Sequence, residues 1–211
     1  MFRNILPAIV FASFVATPAA LLSTSVPVMA QDQKGAQTRI RGTVVSFGGT
    51  TLKVKTREGD MQDITLADGW KLASVASAKI TDIKAGDFVG IASLPKDQGG
   101  DGALEVLIFP PAMKGTGEGS YSWDLKPNSS MTNATVADAV KDVNGRTLTM
   151  SYQGKEKKIS VPEGTPVVTL APANNNDLVA GATVFISAEK TSTGPVAHQV
   201  VVGKNGVVPP M

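Results

Sequence analysis

The feature that most constrains this chain is an internal repeat, in which the second half of the sequence matches the first. The stretch RIRGTVVSFGGTTLKVKTREGDMQDITL, which begins at Arg39, aligns with TVADAVKDVNGRTLTMSYQGKEKKISV, which begins at Thr135. Further on, DIKAGDFVGIA aligns with DLVAGATVFIS, and ALEVLI aligns with AHQVVV. The offset is about 95 residues throughout, which indicates a duplicated small domain and not a solenoid.

Each copy has the pattern of β structure. Leu52 and Val54 alternate with lysines, and the pairs Gly48-Gly49 and Asn144-Gly145 mark tight hairpin turns. Each copy is predicted to hold five short strands with a non-strand insert after the third, which favours a Greek-key barrel of OB type. We therefore predict an all-β fold with two tandem five- to six-stranded Greek-key (OB-like) barrels, joined by a Gly/Ser/aromatic linker.

The repeat also sets the predicted domain boundaries. In chain order they are a signal peptide (1–30), a disordered N-terminus of the mature chain (31–37), barrel copy 1 (38–110), a linker (111–133), barrel copy 2 (134–207) and a tail (208–211).

The first residues have the layout of an export signal. Arg3 gives a positive start, Ile5 to Leu22 is almost wholly apolar, and Val28 and Ala30 suit a cleavage site before Gln31. The alternative is an uncleaved anchor, since the apolar run has marginal length for a membrane span. Its prolines favour cleavage, so we expect a soluble periplasmic protein with no span after the signal.

Composition excludes several classes of chemistry. The chain has no cysteine, which rules out disulfides, thiol catalysis and iron–sulfur clusters. It has one histidine, so any site that needs two imidazoles is excluded. The net charge is +2, or about +1 without Arg3, and it is scattered along the chain, which argues against nucleic-acid binding.

That histidine, His198, is the weak candidate for a metal ligand. It lies in the last predicted strand with Val200 and Val202 as its alternation partners, which favours a half-buried residue with a local hydrogen-bond partner. The alternative is a copper or zinc site shared with a methionine or carboxylate. No spacing names the other ligands, so we predict neither a metal site nor a cofactor.

Enzyme motifs are also missing. GTGEG, which begins at Gly115, lacks the following helix of a phosphate loop, and KDQGGDG, which begins at Lys96, lacks the ligand order of a calcium loop. The sequence contains no G-x-S-x-G or H-E-x-x-H motif. A small envelope enzyme that uses paired carboxylates stays open as a remote alternative.

The linker carries the candidate binding residues. Tyr121 and Trp123 are two positions apart, so an extended backbone places them on one side together with Leu125, while Asp124 faces the other way. One interpretation is that this strip packs between the barrels and fixes their angle. The other is that Tyr121, Trp123, Asp124 and Leu125 form an exposed patch for a partner protein or ligand.

The order GTVV…GGTTLKV, ITL, IKAGDFV and ALEVLIFP resembles a bacterial family of exported small β-barrel domains of unknown function. The stretch AMKGTGEGSYSWDL…P…MTNATV is similar to the centre of alphaproteobacterial exported proteins, some with names linked to metal transport. The resemblance implies the fold and export, and it implies no chemistry.

The function that these observations favour is a non-catalytic, exported binding or interaction module that acts through the barrel junction. Its partner would be another envelope protein or a small ligand. The alternative is a periplasmic accessory protein that handles copper or zinc for transport, with His198 among its ligands.

Overall fold

A computed structural model describes residues 36–210 except 98, 143 and 144, and omits the side chain of Asp142. The predicted signal peptide and residues 31–35 of the predicted disordered segment lie outside the described residues. Gln37, at the end of that segment, is the first residue of a strand.

Twelve strands make up most of the described chain: β1 (Gln37–Phe47), β2 (Thr51–Thr56), β3 (Met61–Ser77), β4 (Phe88–Pro95), β5 (Asp101–Ile108), β6 (Gly119–Ser122), β7 (Ser130–Asp142), β8 (Gly145–Tyr152), β9 (Lys155–Pro162), β10 (Val167–Pro172), β11 (Thr183–Thr191) and β12 (Gly194–Gly203). Three single-turn 3₁₀ helices connect them: Ile80–Asp82, Pro111–Met113 and Asn175–Asp177. Among the residues described, there is no helix with the length and apolar character that a membrane crossing requires.

Five strands close into a first ring, which we call barrel I. Around the ring the order is β1-β2-β3-β12-β11, and β11 pairs back onto β1. Only β3 and β12 run parallel. Leu52, Val54 and Ile64 are fully buried inside the ring, while Lys53 and Lys55 alternate with them and stay accessible. The alternating residues of the sequence therefore point alternately into and out of the barrel, as predicted.

A second ring, barrel II, repeats this arrangement. Its order is β7-β8-β9-β5-β4, and β4 pairs back onto β7. Again one pair of neighbours is parallel, here β5 and β9. Leu148, Met150 and Ile159 are fully buried in its centre. Both rings combine a three-strand meander with a hairpin, which is a small Greek-key barrel of OB type.

The two halves of the sequence exchange their closing hairpins. The β11–β12 hairpin of the second half closes barrel I, and the β4–β5 hairpin of the first half closes barrel II. The prediction of an all-β protein built on small barrels is confirmed. The tandem arrangement is different from the prediction, because neither 38–110 nor 134–207 forms a ring by itself. The repeat alone could not reveal this, since it identifies equivalent strands but not which copy of a hairpin closes which ring.

The registers of the two barrels correspond position by position. Thr43 pairs with Lys55 in barrel I as Thr135 pairs with Ser151 in barrel II. At the other edge of β1, Arg41 pairs with Phe185 of β11. At the equivalent edge of β7, Asn133 pairs with Gly90 of β4. Equivalent positions in the two barrels can therefore be compared directly.

A third apolar cluster lies between the barrels. β10 joins them, running antiparallel to the end of β3 and parallel to β5. The buried members of the cluster are Val75, Leu107, Val168, Phe185 and Val201, and Trp123 from the linker packs against them. The linker itself ends earlier than the predicted 133, because β7 begins at Ser130.

Candidate functional site

The linker reaches across the barrels through a short strand. β6 adds to the edge of β7 in barrel II, with Tyr121 opposite Met131. Tyr121 is 39% exposed, and its hydroxyl accepts a hydrogen bond from Asn133 Nδ2 at 3.2 Å. The Tyr121 and Trp123 rings are in contact, with centroids 6.0 Å apart, so the two aromatics share one side as expected.

Trp123 turns from barrel II onto barrel I. Its ring stacks on Phe185 of β11, with centroids 6.4 Å apart and an angle of 24° between the planes. The guanidinium of Arg39 lies 3.9 Å from the ring centroid, within the range of a cation–π interaction. The packed interpretation therefore describes Trp123, and the exposed-patch interpretation describes the outer edge of Tyr121. The segment from the start of β6 to Trp123 thus contacts both barrels, and we call it the clasp.

Asp124 contacts the same two arginines as the Trp123 ring. Its Oδ1 accepts a hydrogen bond from Arg41 at 2.8 Å, and Oδ2 lies 3.8 Å from Arg39. The expectation that Asp124 faces the opposite way is wrong. Strand geometry ends at Ser122, and a turn closed by the Trp123 N–H to the Ser129 carbonyl follows. Burial acts to raise the Asp124 pKa, but the bond to Arg41 and the arginine charges outweigh it, so the pKa is lowered.

Leu125, the last residue of the predicted patch, lines a cavity of about 470 Å³ that we call the junction groove. The groove runs along β1 and β2 of barrel I and is also bordered by the end of the chain. Its lining residues are Arg41, Gly42, Thr43, Lys55, Thr56, Arg57, Glu105, Leu125, Thr183, Val184, Val208 and Pro209. The volume lies within the range of small-molecule sites.

Glu105 is the member of the groove that comes from barrel II. It lies on β5 opposite Ala92, and the next residues, Val106 and Leu107, are buried. Burial raises the pKa of the Glu105 carboxyl to about 7, although the charges of Arg41 and Arg57 act to lower it. Its Oε1 is buried and accepts no hydrogen bond from the described residues. A half-buried carboxyl that lines a cavity and has a shifted pKa is a candidate for ligand contact.

Sequence reasoning missed Glu105, although a signal was present. The residue is the only charged one in ALEVLI, a segment otherwise made of strand-forming apolar residues. A charge in such a run indicates either an outward position or a special environment. The exchange of hairpins decides between them, since it places β5 against barrel I, where Arg41 and Arg57 lie.

The environment of His198 differs from the one that the sequence predicts. β12 has a bulge between Ala197 and Gln199, so His198 is the extra residue and pairs with neither neighbouring strand. Its side chain is 58% exposed, and Nε2 lies 3.6 Å from Glu189 Oε2. The expected half-buried position beside Val200 is wrong because the bulge reverses the alternation. Within the described part of the chain, no three His, Cys, Asp or Glu side chains form a group that could hold a metal ion.

The face of barrel II that is equivalent to the groove is covered by the linker. Asn133, the counterpart of Arg41, donates to the Thr116 carbonyl, and Lys114 donates to the Gly86 carbonyl. Gln153, which follows β8, bonds Glu118 through its backbone N–H and its side chain. The same face of barrel I holds the junction groove.

Comparison of the chain with protein-family models, with curated proteins and with solved structures found no match. The site must therefore be interpreted from its own geometry.

Proposed function

We propose that this protein is an exported, non-catalytic binding module whose ligand site is the junction groove. The observation that carries the proposal is Glu105, a half-buried carboxyl with an unsatisfied oxygen, at the wall of a cavity of about 470 Å³. Polar groups that converge on a preformed cavity with apolar walls are typical of small-molecule sites. Export and a periplasmic location rest on the signal pattern of 1–30.

The clasp supports the groove in this proposal. Trp123 stacks on Phe185, and Asp124 holds Arg41 at the groove wall. These contacts fix the position of the cationic wall relative to Leu125, and a preorganised wall lowers the entropic cost of binding. The metal-handling alternative has no comparable support, because His198 and Glu189 have no third His, Cys, Asp or Glu beside them among the described residues.

The test is native mass spectrometry of protein purified from the periplasm, which detects bound small molecules by mass. We expect a small molecule on the unmodified protein and its loss in Lys55→Glu, which reverses a charge in the groove. Lys155→Glu is the matched control, since Lys155 is an exposed residue at the start of β9 in barrel II. The proposal fails if no small molecule is bound, or if both variants keep it equally.

A further inference from the structure

The charges that line the groove are mainly positive. Around Glu105 the groove presents Arg41 from β1, Lys55 from β2 and Arg57 from the turn after β2. Asp124 binds Arg41, and the exposed Glu58 lies 3.4 Å from Arg57 Nε, so two of these charges are partly balanced. Lys55, which also lines the groove, is exposed. The electrostatic field of the groove therefore favours an anion.

The groove also has an apolar wall, which is lined by Leu125 from the linker and by Val208. Val184 and Pro209 border the groove too, but both are buried. Val208 is 64% exposed, so its side chain has apolar surface left to bury. A purely inorganic anion would leave this wall in water, whereas a ligand with an apolar body would cover it.

Glu105 lies near Arg41 and Arg57, yet burial disfavours the carboxylate and raises its pKa to about 7, so the carboxyl is mostly protonated only below neutral pH. A protonated carboxyl has one O–H donor in addition to its acceptor oxygens. Beside an anionic ligand, the protonated form can donate a hydrogen bond, while the ionised form would repel the ligand. The groove thus contains one donor whose availability depends on pH.

From this arrangement we infer that the junction groove binds a small amphiphile with an acidic head group, and that protonated Glu105 donates a hydrogen bond to that head. The inference rests on the proposed function and names its ligand class. Lys55 and Arg57 attract the head, and Leu125 and Val208 cover the apolar body. Binding then takes up a proton, so affinity falls as pH rises through neutrality.

Decanoate and decyltrimethylammonium are suitable probes, because they have the same chain length and opposite charge. Binding of each is measured by calorimetry at about pH 6 and about pH 8, below the micelle concentration. Decanoate is ionised at both values, so a change in its affinity reports on the protein. We expect decanoate to bind about tenfold more tightly at the lower pH, as the protonated fraction of Glu105 changes by that factor.

Three variants locate the effect. Glu105→Gln keeps a donor that does not titrate, so decanoate affinity should become nearly independent of pH. Lys55→Gln should weaken decanoate binding at both pH values, and the matched Lys155→Gln should leave it unchanged. The fluorescence of Trp123 in a Trp70→Phe background checks that the probe binds beside the clasp.

Tighter binding of decyltrimethylammonium at the groove would overturn the ligand class and leave the groove as a binding site. Decanoate affinity that is independent of pH, or a pH dependence that persists in Glu105→Gln, would overturn the role of Glu105. Absence of binding by both probes would also overturn the inference. Mass spectrometry of protein from the periplasm would still show, independently, whether the groove holds a small molecule.

Discussion

Barrel I and barrel II have the same strand framework but differ in what covers them. The face of barrel II around Asn133 is covered by the linker, while the equivalent face around Arg41 forms the junction groove. The ends of the barrels differ as well. Lys157 of barrel II pairs with Asp101 at 2.7 Å, and the equivalent Gln62 of barrel I lines an open cavity of about 230 Å³. At these two places barrel II is covered or filled and barrel I is open, although barrel II has a cavity of about 490 Å³ elsewhere, beside Phe88 and Ile108.

The exchange of hairpins gives the largest test of this comparison. A fragment of residues 36–110 should not fold, because β1, β2 and β3 lack the strands that close their ring. Circular dichroism and the dispersion of amide NMR signals measure the outcome. A folded, monomeric fragment with dispersed signals would mean that each copy can close its own ring.

The matched control for the fragment is a full chain with a protease site inserted at Gly115, an exposed linker position. After cleavage the two pieces should stay associated, since each contributes strands to both barrels. Size-exclusion chromatography of the cut protein distinguishes one folded species from two separate pieces.

Trp123→Ala should give the next largest effect, a loss of about 3 kcal/mol of unfolding free energy. The change removes the stack on Phe185 and the contact with Arg39, which join the linker to barrel I. Urea denaturation measures it. Trp123→Phe is the control and should cost about 1 kcal/mol or less, because the indole Nε1 has no acceptor among the described residues. Equal losses in both variants would contradict a packing role for the ring.

Lys157→Ala should cost about 2 kcal/mol, because it leaves Asp101 largely buried without its cation. The Lys157 ammonium also donates to Ser130 Oγ at 3.1 Å, and that bond is lost too. Gln62→Ala, at the equivalent position of barrel I, should change stability by about 0.5 kcal/mol or less. Denaturation curves of the two variants give the comparison. Similar losses would mean that the two barrel ends are equally packed.

Glu105→Gln should stabilise the protein by about 1 kcal/mol at about pH 8 and have little effect at about pH 5. The folded-state pKa of about 7 lies above the ordinary value of 4.5, so the folded protein binds the proton more tightly. The protonated carboxyl therefore contributes stability that is lost as pH rises through 7. A glutamine side chain does not ionise, so the variant keeps its stability over the same range. Melting temperatures across this pH range test the sign. A variant that is less stable at the higher pH would contradict the burial of the carboxyl.

Much of the fold could be predicted because it depends on local patterns. Leu52 and Val54 are buried as their alternation indicates, and Gly49, with φ of 79°, makes the hairpin turn that the pair Gly48-Gly49 predicts. The shared side of Tyr121 and Trp123 followed from their spacing. These features need only the conformation of neighbouring residues.

The groove could not be predicted in the same way, because it is assembled from distant segments. Glu105 borders the groove from barrel II because the hairpins are exchanged, and Asp124 reaches Arg41 because a turn follows β6. The bulge at His198 also depends on pairing with both β3 and β11. No pattern within a single strand contains this information.

The exchanged hairpins also determine when this protein can fold. β3 ends at Ser77, but its neighbour β12 begins only at Gly194, so barrel I cannot close until β12 has been synthesised. Contacts between such distant segments slow folding, since a long loop must be ordered first. We expect the nascent chain to stay open with the edges of β1 and β3 unpaired, a state that chaperones recognise. Synthesis and folding are therefore separated in time.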